Sequence, residues 1–504
     1  MLRLVFLTIT AVRCDWEINL NLPPKLLEYT IRNNEDLKEK EAALSNGRCW
    51  GYETNCSYEE SYSAELGVPK CSTPGKRDRF YKQADFGYVA ERSRMHDICI
   101  SQDQKGSKLR CSDDLRYCQA TNIFFHFKSW TAKNSKRYRE DVVQRGEVGG
   151  NCAEFKAEVL VKNQNERGYL RSWADEFLHF ESVPSFDLDD EHCDVIFDRP
   201  TVVMKLDASV NMYHHFCDFV NLYASQHING SFSQQVDVVW WDTHSGGFVD
   251  SWFGDTWKAF SDSKPVELTA LAGRRVCFRN AMFPLLARQA FGLYYNTPLE
   301  KDCHGTGLMH AFAHHVLHRL GIQQKGPLLD KIRVTILSRS TKFRRILNLD
   351  ELKKALETIS NISVNVVDYN GKVPFLEQLA STHNSDVFIG MHGAGLTHLL
   401  FLPDWGAIME LYNCDDRNCY KDLARLRGVK YFTWASDKHH LIYPENDGLH
   451  PQTGNPHKKF TNYRFDPDEF VRQVKMMVEY VRRHPKFVEE RRRLRRSQRR
   501  VEEL

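Results

Sequence analysis

The chain has 504 residues, which is too long for one hydrophobic core of ordinary size, so two or three domains are expected. Hydrophobic residues make up 42% of the sequence and aromatic residues 12%, which excludes an intrinsically disordered chain. The 69 basic residues nearly balance the 66 acidic ones, so the net charge of +3 excludes a generally basic, nucleic-acid-binding protein.

The amino terminus has the pattern of a brief secretory signal peptide, assigned to residues 1–14. Arg3 precedes an apolar run from Leu4 to Val12, with small residues near its end. The run is too short to span a bilayer, and no later stretch reaches the ~18 apolar residues that a membrane helix needs. We expect a mature protein in a lumen or outside the cell, with no transmembrane segment. A buried terminal strand is the alternative.

Fourteen cysteines are distributed unevenly along the chain. Those from Cys49 to Cys152 are crowded at spacings that match no compact zinc module. Residues 15–195 are therefore predicted to be a cysteine-rich region with disulfides formed in an oxidising compartment. The sequence leaves their pairing open. Three N-glycosylation sequons are also present, at Asn55, Asn229 and Asn361.

Residues 196–325 form the next predicted region, in which short apolar runs at 200–205 and 236–241 are strand candidates. If the segment that follows the first run is helical, His214 and Asp218 lie on one face, a turn from Asn211. A His or Asp at the rim of a cleft can deprotonate a hydroxyl nucleophile. A metal site is the weaker alternative, because a third ligand is missing. His215 is a candidate for the acceptor side, and a polar residue on a core helix is its alternative.

The clearest alternation of strands and helices lies in residues 326–485. The predicted strands are 331–337, 362–367, 386–389, 407–411 and 429–434. The predicted helices are 348–360, 375–381, 396–401, 420–427 and 468–483. This alternation predicts a parallel sheet covered on both faces, which makes the region an α/β, Rossmann-like domain.

The run GMHGAGLTH, from Gly390 to His398, lies where such a sheet binds ligands. It follows a strand and precedes a helix, and ligands of open parallel sheets bind beyond the carboxyl ends of the strands. Glycines let a phosphate approach the backbone, and amides of the first helical turn point toward it. The predicted phosphate-binding residues are His392, Gly393, Ala394, Gly395, Leu396 and Thr397. Their spacing is not the dinucleotide fingerprint, which disfavours a nicotinamide cofactor.

Two further segments end at the same predicted edge of the sheet. Arg339 and Arg344 follow the strand 331–337, and their guanidinium groups can pair with phosphate oxygens. Arg339 is nearer the strand end and is the preferred phosphate ligand. Glu410 ends the strand 407–411 and is predicted to accept hydrogen bonds from a sugar or ribose. A structural capping role is its alternative.

The chain closes with a charged tail, residues 486–504, which is predicted to be a solvated helix. Its last two residues, Glu503 and Leu504, match the end of a K/H-D-E-L retrieval signal of the endoplasmic reticulum. Val501 and Glu502 depart from that signal. Retention in the endoplasmic reticulum is expected, and the strength of retention stays open.

Several long runs carry a family resemblance. They are GMHGAGLTHLLFLPDW from Gly390, ELYNC from Glu410, LARLRGV from Leu423, GLYYNTP from Gly292 and NLDEL from Asn348. With these runs the chain resembles the family of EGF domain-specific O-linked N-acetylglucosamine transferases of the endoplasmic reticulum lumen. The wider family includes a dystroglycan-modifying transferase and plant xylosyltransferases.

The resemblance implies an inverting enzyme of GT-B-like fold, with two Rossmann-like lobes and a cysteine-rich N-terminal region. It implies transfer of N-acetylglucosamine from UDP-GlcNAc to Ser or Thr of EGF-like domains, as in Notch-type receptors. It places the donor at 392–397 with Arg339 and Glu410. It places the acceptor near Asn211, His214 and Asp218. The base is assigned to Asp218 or His214, and stabilisation of the leaving pyrophosphate to Arg339 and the loop amides.

One segment departs from the family pattern. Asp262-Ser263-Lys264 stands where vertebrate relatives carry an acidic D-x-D, so a metal-chelating role for it is disfavoured. The sequence requires no metal, although dependence on a divalent cation stays open. Two alternatives to the implied function remain. One is a related transferase with another UDP-sugar or acceptor, and the other is an inactive homologue that binds a sugar or nucleotide.

Overall fold

The structure is a computed structural model that describes residues 70–502, apart from 132, 134, 135, 209, 242–252, 296–298 and 412–417. The predicted signal segment, the sequon at Asn55 and the last two residues of the chain lie outside this part. The chain divides into two compact units, one formed by Val68–Leu320 and the other including Gly321–Leu504. They are called the amino-terminal and carboxy-terminal units below. Residue 195, a predicted boundary, lies inside the amino-terminal unit.

The described strands of the amino-terminal unit are β1 (Met95–Ile100), β2 (Lys108–Ser112), β3 (Cys118–His126), β4 (Val148–Gly150), β5 (Glu154–Phe155), β6 (Phe180–Ser182), β7 (Val195–Phe197), β8 (Thr201–Lys205), β9 (Asp237–Trp241), β10 (Val266–Glu267) and β11 (Arg275–Phe283). Its described helices are α1 (Pro74–Ala84), α2 (Phe86–Arg92), α3 (Ala157–Lys162), α4 (Ala174–Phe177), α5 (Met212–Asn229) and α6 (Gly307–Arg319). The two strands that the sequence predicted at 200–205 and 236–241, now β8 and β9, are confirmed.

These strands form one mixed sheet. β10, β9 and β8 are parallel neighbours, and β8 continues to β11 and then to β3, β2, β1 and β5. β11 runs parallel to β8 and antiparallel to β3. The path from β8 through α5 to β9 is a parallel crossover, and every residue of β8 is buried, as expected of a strand covered on both faces.

Disulfides fasten the amino-terminal unit, as the cysteine distribution predicted. Four are present among the described residues, and they join Cys71 to Cys303, Cys99 to Cys152, Cys111 to Cys118, and Cys193 to Cys277. The first closes a separation of 232 residues, which removes more unfolded-state entropy than a short loop would. Cys111 and Cys118 are direct partners across β2 and β3.

The described strands of the carboxy-terminal unit are β12 (Ile332–Leu337), β13 (Ile362–Val367), β14 (Val387–Met391), β15 (Ala407–Leu411), β16 (Lys430–Thr433), β17 (Ile442–Pro444) and β18 (Tyr463–Phe465). Its described helices are α7 (Leu349–Glu357), α8 (Phe375–His383), α9 (Cys419–Arg427), α10 (Pro467–Arg483) and α11 (Pro485–Glu502). All five predicted strands of this unit are confirmed, and so are four of its five predicted helices.

β12–β16 form a parallel sheet in the order β13-β12-β14-β15-β16, so the α/β, Rossmann-like prediction is confirmed for this unit. The chain leaves β12 for β13 on one side and returns to β14 on the other. The sheet therefore has its topological switch point between β12 and β14, where ligands of such folds bind. The segments after these two strands contain Arg339 and Gly393.

Two predictions for this unit differ from the structure. The segment predicted as an α-helix at 396–401 is a 3₁₀-helix, Ala394–Phe401. The tail helix α11 is docked and not fully solvated, because Phe487 is 0% exposed and packs on Trp405. Lys486 pairs with Asp404 at 2.6 Å and strengthens the docking. No helix within the described part of the chain has the length and apolar character of a membrane span.

Candidate functional site

The loop after β14 has a backbone that only glycine allows at its first turn. Gly393 has φ 156° and ψ 167° and precedes the 3₁₀-helix, whose Leu396 N–H donates to the Gly393 carbonyl at 2.9 Å. A Cβ at Gly393 would overlap the guanidinium of Arg339 and lie 3.1 Å from Nη1 of Arg344. The missing side chain therefore lets two cationic groups reach the backbone of the loop.

Arg344 is locked against this loop. Its Nη1 donates to the His392 carbonyl at 2.9 Å, and its own N–H donates to the Thr461 carbonyl at 2.8 Å. The residue has φ 62°, a left-handed conformation that costs free energy in a non-glycine residue. The strain and the double anchoring indicate that the guanidinium is held in a fixed position beside Gly393.

Arg339 is a half-buried cation beside a second cation. Burial, and then the charge of Arg344, lower the pKa of Arg339 to about 10. Arg339 forms no ion pair with any residue that the structure describes, and its Nε donates to Thr341 Oγ1 at 3.3 Å. Two adjacent guanidinium groups, one without a carboxylate partner, make a site that favours an anion with several oxygens, such as a diphosphate.

His392, Glu410 and Tyr431 form a hydrogen-bonded chain along the same edge. His392 Nδ1 lies 2.5 Å from Glu410 Oε1, and the Tyr431 hydroxyl donates to Glu410 Oε2 at 2.5 Å. Glu410 is 1% exposed and both of its oxygens have partners. The structure therefore favours the capping alternative for Glu410 over direct contact with a ribose. The carboxylate orients the His392 ring.

The remaining predicted loop residues divide between the outside and the inside of the loop. Ala394 and Gly395 are partly exposed, whereas Leu396 and Thr397 are fully buried. A Cβ at Gly395 would lie 2.7 Å from Leu337 Cδ2, so a larger residue here would require the Leu337 side chain of β12 to shift. The loop can therefore present its backbone amides at 394–395, whereas the Thr397 hydroxyl points into the protein.

Two neighbours of this cluster were not identified from the sequence. The Tyr420 ring, at the start of α9, meets the His392 ring edge-on with centroids 5.3 Å apart. Burial, and then nearby charges that include Glu410, raise the pKa of Tyr420 well above its usual range. Asp368, one residue beyond β13, favours the charged form of Arg339 electrostatically. A tyrosine at a helix start carries no sequence signal of its own, so only the fold shows its place.

The second group of predicted site residues lies on α5 in the amino-terminal unit. Asn211 is the N-cap of this helix, and its Oδ1 accepts from the Tyr213 N–H at 3.0 Å. The His214 ring contacts Asp207 through Nδ1 at 2.7 Å. The Asp218 carboxylate is buried and accepts from the Asp207 N–H at 3.0 Å. Asn211 has a structural role as a cap, and His214 and Asp218 both contact Asp207, which the sequence did not indicate.

His215 lies in the core, as its alternative interpretation allowed. Its side chain is 0% exposed, and its ring packs against Phe219 and Phe253, with centroids 4.8 Å and 4.9 Å away. Burial lowers the pKa of His215 to about 3, so the ring is neutral at physiological pH. This position offers no direct access to an acceptor.

Residues 212–409 match the glycosyltransferase 61 family. The EGF domain-specific O-linked N-acetylglucosamine transferase of Bos taurus is 47% identical over 490 residues, covering 93% of this chain and 91% of that protein. The protein of the same name from Gallus gallus is 49% identical over 497 residues, with coverages of 93% and 91%. The protein of that name from Drosophila melanogaster is 44% identical over 456 residues, with coverages of 87% and 85%. The chain belongs to this family of glycosyltransferases.

The family match covers both groups of polar residues described above. Its first residue, Met212, is the first residue of α5, and its last, Met409, lies in β15. It therefore includes His214 and Asp218 as well as the Arg339 and His392 loops. Asp207 and Glu410, which orient the two histidines, lie just outside the matched span.

The segment Asp262-Ser263-Lys264 is engaged within the amino-terminal unit. Asp262 pairs with Arg199, whose Nη2 lies 2.5 Å from Oδ1. Ser263 Oγ accepts from Arg199 Nη1 at 2.7 Å. The Arg199 hydrogen bond lowers the pKa of Asp262. The segment, with Lys264 as its third residue, thus anchors an arginine in this chain.

The two described sequons are placed differently. Asn229 is exposed at the end of α5, and its Oδ1 accepts from Gln119 Nε2 at 2.8 Å and from the Tyr117 hydroxyl at 3.1 Å. Asn361 is half-buried before β13, and its carbonyl accepts from the Ile332 N–H at 3.0 Å. Glycosylation at either residue stays a prediction.

Proposed function

We propose that this protein is an inverting glycosyltransferase that moves N-acetylglucosamine from UDP-GlcNAc to Ser or Thr hydroxyls of extracellular EGF-like domains. The names of its relatives, at 44–49% identity, support the sugar and the acceptor. The observation that carries the donor site is the pair Arg339 and Arg344, which converge on Gly393 at the switch point of the sheet. Proteins with Notch-type EGF repeats are the proposed acceptors.

The carboxy-terminal unit is proposed to hold the UDP part of the donor. The diphosphate would meet the guanidinium groups of Arg339 and Arg344 and the amides of Ala394 and Gly395. His392, oriented by Glu410, would line the same site. As the sugar–phosphate bond breaks, negative charge grows on the leaving diphosphate, and donors fixed in advance stabilise it without reorganisation.

The amino-terminal unit is proposed to supply the base that activates the acceptor hydroxyl. Inversion requires one base on the face of the sugar opposite the leaving diphosphate, and the candidates on α5 are His214 and Asp218. The parallel strands β8, β9 and β10 support a second Rossmann-like lobe, as a GT-B-like arrangement requires. A bound metal ion is not needed for this mechanism, since the arginines can neutralise the diphosphate.

The lumen of the endoplasmic reticulum is the proposed compartment. The disulfides of the amino-terminal unit form in oxidising compartments, which supports the secretory pathway. The predicted signal peptide and the partial retrieval signal favour luminal residence over secretion. To test this assignment, the protein is expressed with a tag placed before its last four residues. The amounts of tagged protein in the cells and in the medium are then compared.

A donor-and-acceptor comparison tests the function directly. The purified protein is incubated with UDP-GlcNAc, UDP-xylose or UDP-glucose and a folded EGF repeat, and intact mass is measured. We expect a mass increase of one N-acetylhexosamine, with an inverted anomeric configuration, and no transfer to the same repeat after reduction. Transfer of xylose alone would replace the proposed donor, and binding of UDP without any transfer would indicate an inactive homologue. EDTA treatment in parallel reports metal dependence.

A further inference from the structure

Asp207, two residues beyond the carboxyl end of β8, is a buried anion held by three side chains. Arg288 contacts it in a bidentate manner, with Nη2 2.6 Å from Oδ1 and Nε 3.1 Å from Oδ2. The Tyr138 hydroxyl donates to Oδ1 at 2.9 Å, and His214 Nδ1 lies 2.7 Å from Oδ2. Burial opposes the charge, but the His214 and Arg288 contacts outweigh it and hold the pKa of Asp207 below its usual value. The carboxylate therefore stays ionised in one orientation.

This contact selects the tautomer of His214. A carboxylate can only accept a hydrogen bond, so Nδ1 carries the proton and Nε2 keeps a lone pair in the neutral ring. Among the residues that the structure describes, none donates a hydrogen bond to Nε2 of His214, and its side chain is 22% exposed. The rings of Tyr213 and Tyr295 flank the imidazole, with centroids 5.6 Å and 5.8 Å away. His214 thus presents a basic nitrogen from a fixed position.

Asp218 occupies a different place in the same network. Its side chain is 4% exposed, and its Oδ2 accepts from the main-chain N–H of Asp207 at 3.0 Å. This contact fixes the turn that carries the Asp207 carboxylate. Of the two candidate bases on α5, His214 is accessible to solvent. Asp218 is buried and holds the backbone of Asp207, the residue that contacts His214.

We propose that His214 is the base of the transfer reaction and that Asp207 is a positioning residue that acts through it. This assignment rests on the proposed function and names the base that the sequence left open. His214 Nε2 takes the proton of the acceptor hydroxyl while its oxygen forms the new bond to the anomeric carbon of the sugar. The bond from that carbon to the diphosphate oxygen breaks, and its electron pair leaves with UDP. Asp207 stabilises the imidazolium that results.

Single variants test the two roles. In His214→Gln and Asp207→Asn, kcat for transfer to a folded EGF repeat should fall on the order of 10²–10⁴-fold, as for loss of a general base or its orienting carboxylate. KM for the donor should change by less than threefold, since the donor-binding residues lie in the other unit. Asp198→Asn is the matched control. Asp198 pairs with Arg279 on the surface of the same unit, so its removal should leave kcat within twofold.

A double-variant comparison separates positioning from a structural role. If Asp207 acts through His214, Asp207→Asn should lower kcat less than fivefold further in a protein that already carries His214→Gln. If the role of Asp207 is purely structural, Asp207→Asn should lower kcat by the same factor in the wild type and in His214→Gln. Circular dichroism and thermal unfolding identify any variant that fails to fold, and His214→Gln, at a partly exposed position, then carries the test alone.

Three outcomes would overturn the assignment. Asp218→Asn could abolish transfer while His214→Gln retains more than a tenth of kcat, which would make Asp218 the base. The fold-decrease in kcat of the double variant could equal the product of the decreases in Asp207→Asn and His214→Gln, which would show that the two residues act independently. The wild-type protein could also turn over no UDP-sugar with any EGF repeat, in which case the proposed function fails and the base assignment fails with it. If another sugar or acceptor is used, the same variants are measured in that reaction.

Discussion

The positive charge of Arg339 is unfavourable in the folded protein without ligand. Replacing this residue should therefore raise the stability of the protein and weaken donor binding. The pKa of Arg339 is lowered from 12.5 to about 10, first by burial and then by Arg344. At about 1.4 kcal/mol per pKa unit, the charged form costs roughly 2–3 kcal/mol, allowing for solvent screening at its exposed edge. Arg339→Met keeps an apolar stem and removes the charge. The free energy of unfolding without ligand should rise by about 2 kcal/mol, or Tm by roughly 4–8 °C.

The same variant should lose its response to the donor. A charge-assisted contact to a phosphate is worth about 1.5–3 kcal/mol, so Kd for UDP should rise about 10–150-fold. At a UDP concentration of about 100 times the wild-type Kd, ligand stabilisation is ~2.7 kcal/mol, and it should fall to about 0.3–1.4 kcal/mol in the variant. Thermal unfolding with and without UDP measures both effects in one titration, and calorimetry gives Kd directly.

Arg464→Met is the matched control for this experiment. Arg464 lies in β18 of the same unit, is largely exposed and pairs with Glu351 at 3.3 Å. An exposed pair of this kind contributes ~0–1 kcal/mol, so neither Tm nor Kd should change appreciably. The reasoning is refuted if Arg339→Met binds UDP as tightly as the wild type does. It is also refuted if the variant loses stability, because the charge would then be favourable in the free protein.

Three further predictions concern the same unit. Gly393→Ala should raise the donor KM at least tenfold, because its methyl group would displace the Arg339 guanidinium, and steady-state kinetics measure this. Glu410→Gln should lower kcat more than it raises the donor KM, since the amide no longer fixes the His392 tautomer. Burial lowers the pKa of His398 to about 3, so this residue should destabilise the carboxy-terminal unit at acidic pH. Unfolded His398 binds a proton below pH ~6.5, whereas the folded residue does not. The free energy of unfolding therefore decreases as the pH is lowered, and the loss reaches ~2 kcal/mol at pH 5.

Each of these predictions has its own control. Gly454→Ala is the control for Gly393→Ala, because Gly454 also has a positive φ (69°) but no atom lies within 4 Å of its Cβ position. Unchanged kcat in Glu410→Gln would remove the orienting role of that carboxylate. For the pH dependence, His398→Gln should flatten the fall of Tm between pH 7 and pH 5, whereas the exposed His440→Gln should not. Equal slopes in both variants would contradict the assignment.

Most elements of the carboxy-terminal unit could be predicted because their signals are local. Strands such as 362–367 are short apolar runs, and helices such as 349–357 show one apolar face, so a window of ten residues contains the pattern. The exception is instructive. Residues 396–401 are apolar and predicted to be α-helical, but they belong to a 3₁₀-helix, Ala394–Phe401, that begins directly after Gly393.

The candidate site was predictable only in part. The position of the GMHGAGLTH loop follows from its place after a strand, and the proximity of Arg339 follows from the rule that such strand ends share an edge. The partners of Glu410 did not follow, because Tyr431 is 21 residues away in the chain. Thr397 is polar and lies in the loop, yet its side chain is buried, since a 3₁₀ turn sends it inward.

The sequence by itself determined the family, the α/β pattern, the disulfide-rich composition and the edge of the sheet that carries Arg339 and Gly393. These depend on residue type, spacing and order, which are written along the chain. The tertiary structure decided which side chains share hydrogen bonds. Asp207 meets His214, which is 7 residues further along the chain, but Arg288, 81 residues from Asp207, completes the contact. Side-chain contacts of this kind depend on how segments distant in sequence pack together. Such packing leaves no periodic signal in the sequence.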